Sequence, residues 1–112
     1  MNRVDFLSFR TGPAAALCRQ LGIDLGACTG WDDFTATLVA HNNATDGGVV
    51  TAARGIDGVA SAGERALLHA ILHAGDFDWL ADELAAGKAW YRLSSLSGAH
   101  ALAAAACLAR IG

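Results

Sequence analysis

Charge is what this sequence has least of. Asp, Glu, Lys and Arg together make up 17% of its 112 residues, against about a quarter in an ordinary globular domain. The eight basic residues (Arg3, Arg10, Arg19, Arg54, Arg65, Lys88, Arg92 and Arg110) form no run or stripe. Proteins that grip a phosphate backbone cluster such residues on one face, so nucleic acid is not an expected partner. The net charge of −3 points the same way. Long apolar runs are also missing. The longest, residues 101–109, falls far short of the ~20 residues that cross a bilayer, and no membrane partner is expected. Residues 1–6 lack the apolar segment of a secretory leader. Cysteine is sparse: Cys18, Cys28 and Cys107 are odd in number and make no C-x-x-C pair. They read as free thiols in a reducing cytosol, and the glycosylation tripeptide Asn43-Ala44-Thr45 then has no role. The expectation is a cytoplasmic protein, bacterial by its Ala-, Gly-, Arg- and Asp-heavy usage.

What is abundant is alanine, 25 residues within a 54% hydrophobic composition. Alanine buries little area, so the core must rest on leucine, four Phe and three Trp. A chain of this length suits one domain, residues 1–112, with a modest stability margin. No strand-like alternation or internal repeat is visible, whereas helix signals recur. Val4, Phe6, Leu7 and Phe9 predict an apolar first turn or two. Thr11 and Pro13 mark a helix start; Ala14, Leu17, Cys18 and Leu21 follow at helical spacing, and Gly22 stops it. Thr29-Gly30-Trp31-Asp32 resembles a capping box, and Trp31, Phe34, Leu38 and Val39 form the next apolar stripe. Residues 43–60 are rich in glycine and short side chains and read as a flexible connection, with at most a turn or two of helix over 49–54. Ser61 and Glu64 form a full capping box for a helix over 62–74 that ends at Gly75. Asp76 is expected to cap a helix over 77–86, closed by Gly87. Residues 88–96 read as an irregular or one-turn packing segment, and Ser97 as the cap of a last helix to Arg110. The expected fold is all-α: a compact bundle of four main helices and one or two short ones. Its last helix is apolar all round and is therefore placed at the centre of the bundle or in a subunit interface.

Polar constellations are few. His69 and His73 stand at i, i+4, with Asp76 a turn further, a spacing that can share a metal. At 100° per residue, however, Arg65, His69, His73 and Asp76 lie opposite Leu67, Leu68, Ile71 and Leu72. A solvated face is the expectation, and there is no Glu to complete H-E-x-x-H. Asp76, Asp78, Asp82 and Glu83 lack the glycine bend of a calcium loop and suit a helix N-terminus instead. Asp46-Gly47-Gly48-Val49 lacks the Lys-Ser/Thr end of a phosphate loop. Cysteine–histidine pairing through His41 or His100 has no local motif behind it. Trp79 is placed by periodicity among Asp78, Asp82 and Glu83, where it either packs under a neighbouring segment or, with Asp82 and Glu83, anchors a partner.

Three functional expectations follow. The first is a non-enzymatic interaction or regulatory module without cofactor, self-associating as a homodimer through its apolar last helix. The second is a small metal-binding protein or enzyme using His69, His73 and Asp76, with His41 as a possible helper. The third is a small-ligand pocket lined by Trp31, Trp90 and Tyr91.

Overall fold

A computed structural model describes residues 5–111, apart from the side chain of Trp90; Val4 lies outside that range. The described residues form eight α-helices and no strand beyond an isolated bridge between Asp5 and Ile111. The helices are α1 (Phe6–Thr11), α2 (Ala14–Leu21), α3 (Trp31–Ala44), α4 (Gly48–Val59), α5 (Ala62–Ala74), α6 (Asp78–Ala85), α7 (Ala89–Leu93) and α8 (Gly98–Ala109). A single 3₁₀ turn, Leu25–Ala27, joins α2 to α3. None of them is long and apolar enough to cross a membrane.

Local chemistry accounts for most boundaries. The Asp5 carboxylate accepts the Ser8 N–H at 3.0 Å and starts α1. Gly22 ends α2 at φ +99, a conformation open to glycine; the missing Cβ also leaves space that the His41 ring occupies. Ser61 opens α5 as expected: its Oγ accepts the Glu64 N–H at 3.3 Å and donates to the Glu64 carboxylate at 2.8 Å. Two expected caps are elsewhere. Thr11 ends α1, its hydroxyl donating to the Leu7 carbonyl at 3.0 Å, and Pro13 holds the N-cap place of α2. Asp76 sits in the turn before α6 at φ +70, and Phe77 is the N-cap residue, with no side-chain bond.

Two larger differences concern α4 and α8. The stretch 43–60, expected to be a connection, holds the 12-residue helix α4, with Val49, Ala53 and Ile56 buried. Its first turn is capped from its neighbour: the Asn42 amide oxygen, on α3, accepts the Val49 and Val50 N–H groups at 3.0 and 3.3 Å. Thr45 Oγ1 accepts the Gly48 N–H at 3.1 Å. Tertiary packing and borrowed caps thus override low helix propensity. The enclosed helix is α5, not α8. Helix α5 packs against α2, α4, α6, α7 and α8 and buries Leu67, Leu68, Ile71 and Leu72 completely. Helix α8 lays Ala103, Ala104, Ala106 and Cys107 on its neighbours, while Leu108 is 55% exposed. Short side chains let α8 approach α5 closely without needing cover on the far side.

Candidate functional site

The polar side of α5 does not face solvent along its whole length. Asp57, in the last turn of α4, meets it. Arg65 Nε donates to the Asp57 carbonyl at 3.0 Å and stands 3.7 Å from its carboxylate. One turn on, His69 Nε2 lies 2.7 Å from Asp57 Oδ1. His69 is only 7% exposed, in contrast to the solvated position expected for it. Burial lowers its pKa; the Asp57 hydrogen bond and charge oppose that, and the Arg92 and Arg65 charges add to the lowering. The imidazole is therefore neutral near pH 7. With Nε2–H donated to the carboxylate, Nδ1 presents a lone pair. That Nδ1 is buried and finds no hydrogen-bond partner, and neither does the buried Nε of Arg92.

Both residues line one pocket of ≈ 200 Å³ between α5, α6, α7 and α8. Alanines from α5 and α6 (Ala66, Ala70, Ala81, Ala85) keep it open, because larger side chains there would fill it. Leu93 and Leu108 complete an apolar wall, and His73 and Asp82 stand at the exposed side. The two residues thus line the cavity with other atoms, while Nδ1 and Nε themselves are buried behind it. Buried polar groups are nearly always bonded, and an unmade bond costs about 1–3 kcal/mol.

The other candidates separate. His73 is exposed on the same pocket, but Asp76 lies in a different groove with Asp32 and Arg110. His69, His73 and Asp76 do not converge, and no group of three or more His, Cys, Asp or Glu able to hold a metal occurs among the described residues. Trp79 is 52% exposed, so it does not pack under a neighbouring segment. Asp82 belongs to the pocket mouth, and Glu83 pairs with Arg54 of α4. Trp31 is buried against Phe6, Phe9 and Phe34, with ring centroids 4.8–6.2 Å apart. Its Nε1 donates to the Ile111 carbonyl at 3.0 Å. Tyr91 is 75% exposed, no pocket described here holds both Trp31 and Tyr91, and the side chain of Trp90 lies outside the described residues. The three thiols are buried. Burial raises the pKa of each, with Cys18 pushed up to about 12.

Asp57 is the residue that sequence reasoning missed. It sits among glycines that hide a helix; the only signal was Arg65 and His69 one turn apart, a polar stripe that could face a carboxylate as well as water.

The chain matches no family model, no curated protein and no solved structure. Function rests on the geometry.

Proposed function

We propose that this protein is a small helical domain that binds a compact, largely apolar molecule in the pocket between α5, α6, α7 and α8. The observation that carries it is the alanine-lined cavity itself, with His69, His73 and Arg92 as polar residues of its lining. Ligand sites are characteristically apolar concavities with a few convergent polar groups. A cavity of about 150 Å³ accepts benzene, so ≈ 200 Å³ suits a single ring with one or two substituents. Nuclear magnetic resonance titration with a panel of one-ring compounds tests this. Shifts should concentrate on His69, Ala70, Ala85 and Arg92, and Ala70→Leu, which occupies part of the cavity, should abolish them. A panel that leaves those residues unmoved sinks the proposal.

A second function, self-association, has its own support. Leu108, Ile111 and Tyr91 are 55%, 56% and 75% exposed, large side chains that a contact between copies would take out of water. A two-fold dimer is the commonest way to cover such side chains. In that case Trp79, beside Asp82, is available to a further partner. Sedimentation across a wide concentration range decides between monomer and dimer.

A further inference from the structure

We infer that the solvent-facing side of α6 is a docking surface for an arginine-bearing segment of another protein, its guanidinium stacking on Trp79 and pairing with Asp82. The inference does not rest on the pocket proposed above; it gives the exposed Trp79 a partner of defined chemistry. At 100° per residue, Asp78, Asp82, Trp79 and Glu83 follow one another around about 140° of the helix, and all four are exposed. Trp79 therefore has Asp82, three residues on, and Glu83, four residues on, as its neighbours on that surface. Leu80, Ala81 and Ala85 fix the orientation by lying buried.

Three features set the chemistry of the partner. The first is the indole. Trp79 is 52% exposed, and the ring contacts of the described residues join Phe6, Phe9, Trp31 and Phe34 without it. Its face is open to stacking, and tryptophan attracts a cation better than the other aromatic rings. The second is charge. Helix α6 carries Asp78, Asp82 and Glu83 and no basic residue. Glu83 is occupied by Arg54. Asp82 lines the same pocket as Arg92, but among the described residues neither Asp82 nor Asp78 forms an ion pair with it or with any other base. Like charges four residues apart on a helix repel, and a cation docked beside them relieves that repulsion. The third feature is the adjacency of ring and carboxylate. A lysine brings a compact point charge, whereas a planar guanidinium lies on the indole while its edge forks to a carboxylate. Arginine uses both groups at once. With 11 acidic and 8 basic residues, the chain as a whole also favours the approach of a basic segment.

The test uses the full chain and three peptides: acetyl-Gly-Arg-Gly-Arg-Gly-amide and its counterparts with lysine or citrulline at both arginines. Citrulline keeps the shape of arginine and removes its charge. In nuclear magnetic resonance titrations the arginine peptide should move the Trp79 indole N–H, assigned through Trp79→Phe. It should bind about tenfold tighter than the citrulline peptide and measurably tighter than the lysine one. Binding should weaken as salt is raised, because the charges are exposed. Trp79→Ala and Asp82→Asn should each weaken the arginine peptide about fivefold, whereas Ala70→Leu, which blocks the pocket, should leave it unchanged. Equal affinity for the arginine and citrulline peptides would overturn the inference, as would an affinity indifferent to Trp79→Ala or Asp82→Asn. A Trp79 resonance that no peptide moves at millimolar concentration sinks it equally. A lysine peptide that matches the arginine one removes the stacked, forked geometry. Loss of binding in Ala70→Leu would move the peptide from α6 into the pocket. Should either α6 variant not fold, the three peptides on the unaltered chain decide alone.

Discussion

At the scale of single residues, Asp57 and His69 depend on each other. Removing the carboxylate would leave the imidazole buried with neither nitrogen bonded. Asp57→Ala is therefore expected to destabilise the fold by about 1–3 kcal/mol, the cost of an orphaned buried group, measured by urea denaturation. Asp57→Asn, which keeps an acceptor for Nε2–H, should cost less. The lowered pKa of His69 also sets a pH dependence. Below the ordinary value of 6.5 the unfolded chain takes up a proton that the folded one resists. Stability should then decrease as pH falls from 6.5 toward the folded pKa, by at most about 1.4 kcal/mol per pH unit. His69→Gln should flatten that part of the profile, and a wild-type curve already flat between pH 6.5 and 5 would refute the assignment. The cysteines make a separate prediction. With their pKa values raised by burial, Cys18, Cys28 and Cys107 stay protonated at pH 8. Iodoacetamide should modify none of them until the chain unfolds, as mass spectrometry would show.

At the scale of elements, α5 and α4 mark the two extremes of what a local pattern reveals. Ser61, Glu64, the leucine stripe and Gly75 agree with one another, and the helix lies where they place it, Ala62–Ala74. Helix α4 has no such agreement. Gly48, Gly55 and Gly58 argue against a helix, each by about 1 kcal/mol relative to alanine. What stabilises it is Asn42 on the preceding helix and burial of Val49, Ala53 and Ile56, and neither can be read from a window of sequence. Gly55 and Gly58 have nothing within 4 Å of where a Cβ would stand. Gly55→Ala is accordingly expected to stabilise the protein by about 0.5–1 kcal/mol, visible as a higher melting temperature and slower amide exchange across α4. Exchange along Gly48–Val59 as fast as in an unfolded chain would show that the helix is not held as described. Gly75→Ala should behave in the opposite way, because its Cβ would run into the Leu38 side chain. A loss of about 1–3 kcal/mol is expected from that overpacking.

At the scale of the whole molecule, the shortest principal extent is 19 Å, room for about two helix layers. In so thin a body few helices can be covered on every side, and α5 takes that place. Helix α8 is apolar all round yet lies at the edge, which leaves Leu108 in contact with water. A dimer that uses this face should weaken when Leu108 is replaced by Lys, shifting the sedimentation coefficient toward monomer with little loss of stability. A single species near 11.5 kDa at every concentration would remove that function and leave the pocket reading standing alone.

Helical class, the position of α5 and the stop at Gly22 followed from sequence alone, because caps, glycine stops and 3.6-residue periodicity act within a few residues of one another. The same periodicity grouped Arg65 and His69 on one side of α5. Whether that side met water or another helix depended on α4, itself held in place by α3. Tertiary structure alone brought Asp57 to His69, left Nδ1 and the Arg92 Nε without partners, and opened a cavity between alanines that in sequence are merely small. Local bonding energies select helices one at a time. Which of their polar atoms are dried and which are satisfied is settled only when the helices pack, since desolvation is a property of the assembled surface.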